Sequence, residues 1–196
     1  MKAFYINLDY RTDRREHIEN IAKKYELDIE RYPAECDTEN PVLGCMLSHI
    51  NVLKLAREKS LESVLIFEDD FMFLVEPNEF KKNLQIINSL EKFDVFMLAH
   101  NNLVSKETNI TDILKVNFAQ TASGYIVRSH YYDKLINLYE CAYPLLKKTN
   151  HHWIYMNDIV WRDLQAQDYW LTFKTRQGKQ IAGYSDLGKS YRDYGC

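Results

Sequence analysis

Short apolar runs alternate along this chain with stretches whose apolar positions recur at helical spacing. Phe4-Tyr5-Ile6-Asn7-Leu8 reads as an opening strand. Ile18, Ile21, Ala22 and Tyr25 then mark a helix, with Thr12 or Asp13 as its cap and Glu16 completing a capping box. Residues 27–34 suit a second strand and residues 35–41 a polar loop. Residues 44–57 are apolar on most sides, with Leu47, Ile50 and Leu53 inward, which predicts a buried helix leading into the strand Val64-Leu65-Ile66-Phe67. Residues 79–90 form a further helix and residues 93–98 an interior strand, while residues 101–112 show no period and read as a loop. One or two strands fall within residues 116–127. Tyr131, Leu135, Leu138 and Ala142 mark another amphipathic helix, followed by a helix over 157–165 and a strand over 169–173. From Gln177 onward, Gly178, Gly183, Gly188 and Gly195 dilute the pattern and predict a mobile tail. Strands alternating with helices imply an α/β fold with a mostly parallel central sheet flanked by helices.

Glu68-Asp69-Asp70 follows directly on the most apolar of these strands. Open α/β sheets bind ligands just beyond the carboxyl ends of their strands. In an extended chain residues two apart point the same way, so Glu68 and Asp70 share one side and Asp69 takes the other unless the chain turns. Carboxylates this close repel, and a cation carrying a phosphate relieves the repulsion. Magnesium or manganese suits such oxygen ligands. An acidic helix cap or a solvated strand end accounts for the same residues equally well.

Composition narrows the class. At 196 residues the chain suits one domain, and a hydrophobic content of 46% against 27% charged is that of a globular protein. The formal charge of −3 argues against a nucleic-acid binder. Fourteen tyrosines are compatible with sugar or base binding as well as with packing. Cys36, Cys45, Cys141 and Cys196 form no CxxC pair and no tight His pairing, which indicates neither a zinc site nor a dense disulfide framework, and they read as free thiols in a reducing compartment. No run approaches membrane-spanning length and the opening stretch is too short for a signal peptide, so a cytoplasmic protein is expected, with peripheral membrane contact open.

Five ordered blocks carry a resemblance. They are Phe4 to Glu16 with its arginine-rich turn, Gly44-Cys45-Met46-Leu47-Ser48-His49, Leu65-Ile66-Phe67-Glu68-Asp69-Asp70, Asp94-Val95-Phe96-Met97-Leu98, and Ser123-Gly124-Tyr125-Ile126-Val127. In this order they resemble glycosyltransferase family 25, the family of lipooligosaccharide galactosyltransferases and collagen glycosyltransferases. The resemblance implies a GT-A-like fold: a single Rossmann-like nucleotide-sugar-binding domain holding manganese or magnesium at the acidic motif. It further implies transfer of galactose or glucose from a UDP-sugar, with inversion, to a hydroxyl of a glycan, a lipooligosaccharide or a collagen-like hydroxylysine. Residues 1–130 would then bind donor and metal, and residues 131–196 would form the acceptor side and tail. A noncatalytic nucleotide-sugar or glycan-binding module on the same fold is the alternative. Asn157-Asp158 and Gly183-Tyr184-Ser185-Asp186 resemble two later elements of the family more thinly.

Sugar transfer needs charge neutralised on the leaving diphosphate, which makes Asp70 the first metal-ligand candidate, with Glu68 and Asp69 shared between metal, ribose and solvent. Arg11 and Arg14 stand where a helix start meets guanidinium groups and suit a phosphate or base edge, whereas Arg15 reads as a solvated surface charge. Asn7 and Leu8 would frame the base. Ser48 and His49 suit positioning of the donor or of the acidic turn. Ser123 and Gly124 either let the backbone approach the sugar or form a strand bulge. Asp158 is the first candidate for general base, with a helix cap as its bland reading, and Asp186 is the second. His151, His152 and Trp153 suggest an aromatic acceptor-side surface. Trp161 either stacks on a sugar or packs in the core.

Overall fold

In the computed structural model, residues 1–186, 188 and 190–195 are described. Chain order is β1 (Lys2–Asn7), α1 (Thr12–Lys24), β2 (Ile29–Pro33), α2 (Pro41–Glu58), β3 (Ser63–Glu68), β4 (Phe71–Phe73), α3 (Pro77–Ser89), β5 (Val95–Met97), β6 (Asn101–Glu107), β7 (Ile113–Gln120) and β8 (Gly124–Arg128). A 3-10 turn (Ser129–Tyr131) leads into α4 (Tyr132–Thr149). Three short helices follow, α5 (His152–Tyr155), α6 (Asn157–Val160) and α7 (Arg162–Gln167), and then β9 (Trp170–Phe173), β10 (Gly178–Gln180), β11 (Gly183–Ser185) and β12 (Ser190–Arg192).

An eight-stranded sheet runs in the order β2-β1-β3-β8-β5-β9-β7-β6. Its central strands are buried on both faces, and the side-chain alternation shows it. In β3, Val64 and Ile66 enter one core cluster with α2 and α4, while Leu65 and Phe67 enter the opposite cluster with Ile18 of α1 and Phe80 and Ile87 of α3. Phe4 and Ile6 of β1 divide from Ala3 and Tyr5 in the same way. The α/β class with flanking helices agrees with the sequence, and the sheet is mixed. β1 pairs parallel with β2 and β3, and β5 with β9, whereas β8 lies antiparallel between β3 and β5. With β8 antiparallel to both of its neighbours, no continuous parallel ladder runs through the middle of the sheet.

Several local expectations are corrected. Residues 101–112 are not all loop, since β6 is an edge strand paired only with β7. Its alternation is hidden by the polar residues that a solvent-facing edge tolerates. The N-cap of α1 is Arg11, without a side-chain cap bond, because Asp13 is engaged by the Arg11 guanidinium. The described residues after Gln177 form paired strands: Gln177 is buried, β10 pairs with β4, and β11 with β12. Cys36, Cys45 and Cys141 are free thiols, and Cys196 lies outside the described residues.

Candidate active site

β3 delivers Glu68 to the sheet's end, and the chain turns through Asp69 and Asp70 into β4. Two backbone bonds pin this turn: the Glu68 N–H donates to the Ser123 carbonyl at 2.9 Å and the Ile181 N–H donates to the Asp70 carbonyl at 2.8 Å. Beneath it the Phe71 ring is fully buried against Phe67 and Phe73. Glu68 and Asp70 then converge. The Gln180 side-chain amide donates to Glu68 Oε2 at 3.1 Å and reaches Asp70 Oδ1 at 3.3 Å. Asp69 instead accepts from Asn7 Nδ2 at 2.8 Å and from Arg14 Nη1 at 3.0 Å, and the same guanidinium nitrogen donates to Asp70 Oδ2 at 2.9 Å. Burial raises the pKa of both aspartates. For Asp70 the Glu68 charge adds to burial and outweighs the pull of Arg14, so its carboxyl is pushed up to about 7.

α2 supplies the wall beside the turn. Cys45 and His49 stand one helical turn apart and both face Glu68, with His49 Nε2 at 3.2 Å and Cys45 Sγ at 3.8 Å from Glu68 Oε1. His49 Nδ1 lies 2.8 Å from the buried Tyr125 hydroxyl. Ser48 works behind the wall: its hydroxyl donates to the Gly44 carbonyl and accepts the Glu35 N–H, binding the preceding loop to the helix.

On the far side, Asp158 enters from the start of α6. Its Oδ2 accepts the Thr121 N–H at 3.1 Å, while Oδ1 is buried without a hydrogen-bond partner among the described residues. Thr121 holds a φ of 85°, a costly conformation for a β-branched residue, and presents that N–H to the carboxylate. Burial raises the Asp158 pKa, with the nearby Glu68 charge adding to it, against the Thr121 bond. Asn157 beside it is also buried, with neither side-chain polar atom paired among the described residues.

These groups line a cavity of about 880 Å³ that includes Leu8, Arg14, Ser48, His49, Glu68, Asp69, Asp70, Asp158 and Asp186. The remaining candidates act from behind it. Asn7 is spent on Asp69, on the Arg11 carbonyl and on Arg31. Arg11 is held between Asp13 and Asp186, so it offers no unengaged charge to a phosphate. Ser123 is fully buried, and at Gly124 an added Cβ would meet the Phe71 ring at 2.4 Å, so this glycine makes room for the anchor under the acidic turn rather than for a ligand. Arg15 pairs with Glu19 on the helix surface. Trp161 is fully buried against Tyr125 and Trp170 and belongs to the core, whereas Trp153 is exposed with His151 and His152 against its ring.

Three participants escaped the sequence reading. Gln180 and Tyr184 come from a tail that composition marked as mobile; the Tyr184 carbonyl accepts from Arg14 Nη2 at 2.9 Å. Cys45 carried a usable signal, its i, i+4 spacing to His49 on a buried helix.

An α/β domain with a carboxylate-lined cleft at the ends of its central strands defines a class of ligand-binding enzyme folds. Residues 39–152 match the model of glycosyltransferase family 25 (LPS biosynthesis protein), and the chain belongs to that family. It is 24% identical over 160 residues to a glycosyltransferase 25 family member of Drosophila melanogaster, covering 64% of this chain and 26% of the relative. It is 25% identical over 183 residues to procollagen galactosyltransferase 1-A of Xenopus laevis, covering 74% of this chain and 29% of the relative. The chain thus spans about a quarter of the length of these curated relatives. Its fold is also that of A197 from STIV, with a TM-score of 0.55 at 10% identity over 97% of this chain and 92% of the other.

Proposed function

We propose that this domain transfers a hexose, galactose before glucose, from a UDP-sugar to an acceptor hydroxyl with inversion, using manganese or magnesium. The observation that carries the reading is the convergence of Glu68 and Asp70 on one hydrogen-bond donor inside the cleft. Two carboxylates close enough to share an amide NH2 group are close enough to share a hard cation, and burial, with the Glu68 charge adding, raises the Asp70 pKa in a way that a bound cation would offset. The donor set therefore fits the ion. Asp70 and Glu68 would hold it, and it would offset the charge that grows on the departing diphosphate.

The protein's own residues divide the remaining work. Asp69, tied to Asn7 and Arg14, sets the angle of the acidic turn and can reach the ribose. Leu8, Arg14, Ser48 and His49 border the donor's path, with Asn7, Arg11, Ser123 and Gly124 supporting them from behind. Asp158 takes the acceptor proton. Its unpaired Oδ1 and raised pKa suit a base working near neutral pH. Asp186, bonded to Tyr10 and Arg11, closes the opposite rim and is the second candidate. Residues 1–130 form the donor and metal part, and the acceptor approaches over the exposed Trp153 and the tail. The acceptor class is a glycan, lipooligosaccharide or collagen-type hydroxyl; galactose is favoured by the name of the procollagen galactosyltransferases. No helix among the described residues is long and apolar enough to cross a membrane, which is compatible with work in the cytoplasm or at a membrane surface.

The test is UDP release from a panel of UDP-sugars with and without manganese, with a folded Asp70→Asn protein as control. Manganese-dependent release from one donor, lost in the variant, is expected. Tight UDP-sugar binding with no hydrolysis and no transfer would favour the noncatalytic module.

A further inference from the structure

Cys45, His49 and Glu68 present a sulfur, an imidazole nitrogen and a carboxylate oxygen that all lie within 4.8 Å of one another. Two of the spacings are resolved individually, 3.2 Å from nitrogen to oxygen and 3.8 Å from sulfur to oxygen. A tetrahedral zinc ion with ordinary bond lengths separates its nitrogen and oxygen ligands by about 3.3 Å and its sulfur from either by about 3.5 Å. The nitrogen–oxygen edge already fits, the sulfur–oxygen edge must contract by a few tenths of an ångström, and the sulfur–nitrogen edge, within 4.8 Å, by at most about 1.3 Å, which side-chain torsions of Cys45 supply.

The supporting structure is also that of a metal site. Cys45 and His49 ride on one face of a rigid, buried helix, and Glu68 ends the central strand. The second imidazole nitrogen of His49 has its own partner, the buried Tyr125 hydroxyl at 2.8 Å, which fixes the ring as outer-shell groups do around zinc-bound histidines. Tyr125 is itself wedged edge-on against Trp161, 5.5 Å between ring centroids. All three candidate ligands border the cavity, so a fourth coordination position opens onto it.

We propose that Cys45, His49 and Glu68 form a second cation site, selective for a thiophilic divalent ion such as zinc and sharing Glu68 with the oxygen-only pair. Soft thiolate and imidazole ligands discriminate against magnesium and manganese. On binding, the Cys45 thiol loses its proton to solvent. The neutral imidazole shifts its proton to Nδ1, where Tyr125 Oη accepts it, leaving Nε2 to face the ion. Glu68 turns Oε1 to this set and Oε2 to the side it shares with Asp70, so one carboxylate would bridge the two sites. The site stands on its own geometry and holds whether or not the donor reading does.

The experiment uses cobalt(II) and the full chain carrying Cys36→Ser, Cys141→Ser and Cys196→Ser, so that Cys45 is the remaining thiol. A sulfur-to-cobalt charge-transfer band saturating at one equivalent, displaced by zinc, is expected. Asp70→Asn should keep the band and Cys45→Ser should abolish it, while Tyr125→Phe should weaken cobalt about tenfold. Calorimetry with zinc and a thermal melt on each variant keep a misfolded protein from being read as a lost site. Absence of the band in folded protein overturns the proposal. So does zinc affinity that is unchanged by Cys45→Ser but lost in Asp70→Asn, since the ion would then use the oxygen pair alone.

Discussion

Gln180 Nε2 lies 3.1 Å from Glu68 Oε2 and 3.3 Å from Asp70 Oδ1, so a strand near the end of the chain completes the acidic cluster built at the end of β3. The amide supplies the positive end of a dipole between two carboxylates, beside the Arg14 guanidinium on Asp70 and the His49 ring on Glu68. It also couples the position of β10 to the charge state of the cleft.

Replacing Gln180 with Glu puts a third carboxylate on that pair. Without metal the variant should lose about 1–3 kcal/mol of stability, from the lost donor and the added repulsion. Manganese should return most of it. Thermal melts of both proteins with and without the ion measure the difference; a variant equally destabilised under both conditions would count against a cation at Glu68 and Asp70.

Arg14 is the counter-charge to Asp69 and Asp70, with all three side chains largely buried. Arg14→Leu leaves two buried carboxylates without it and should cost about 3–5 kcal/mol in urea unfolding at neutral pH. Part of that loss should vanish at pH 4, where the raised Asp70 is protonated in the folded protein.

Gly124 and Phe71 interlock under the acidic turn. An added Cβ at Gly124 would stand 2.4 Å from the ring, so Gly124→Ala should destabilise by about 1–3 kcal/mol through overpacking. Combined with Phe71→Leu, which vacates that space, the two losses should add to less than their sum in a double-mutant cycle.

Asp158→Asn keeps the shape of the side chain and its bond from the Thr121 N–H while removing the carboxylate proposed as proton acceptor. A fall in kcat of about 10²–10⁴ with little change in donor KM is expected. In the parent enzyme the acid limb of the kcat profile should lie above the ordinary carboxylate value of 3.8, because burial raises this pKa. An unchanged kcat in the variant would move the base to Asp186.

His100 is buried with Nε2 unpaired among the described residues, and its pKa is lowered from 6.5 to about 4 by burial, with Arg176 adding. The folded state therefore holds the neutral ring. That contribution is complete above the unfolded value of 6.5 and is lost as pH falls toward 4, on the order of 3 kcal/mol in all. Unfolding free energies of the parent and His100→Gln between pH 7.5 and 4 should converge as the pH drops; parallel curves would refute the assignment.

The acidic turn was legible in the sequence because local pattern determines it. A fully apolar strand followed at once by three carboxylates sets them at a strand end, and the period of two already separates Glu68 and Asp70 from Asp69. Asp158 and His49 were also visible as residues, though their environments were not. The edge strand β6 was missed because solvent-facing positions dilute alternation, and the tail was misjudged because glycine content speaks of a chain's freedom and not of what it pairs with. Gly178 shows the gap. Its missing side chain leaves room for the Phe71 ring, which would stand 2.0 Å from an added Cβ, so the residue read as loosening the tail instead allows β10 to close against β4.

The sequence by itself determined the α/β layering, the two-faced burial of β1 and β3, and the placing of carboxylates at a strand end, because each follows from periodicity and side-chain chemistry within a few residues. Only the tertiary structure decided that β8 runs antiparallel between β3 and β5, that Asn7 and Arg11 stand behind the cleft rather than in it, and that Gln180 and Cys45 meet at Glu68 in a cavity that Asp158 also lines. Those outcomes depend on contacts between residues as many as 175 positions apart, whose energies come from shared burial and charge compensation. No local pattern encodes which distant partner satisfies a buried carboxylate; the packing of the whole sheet selects it.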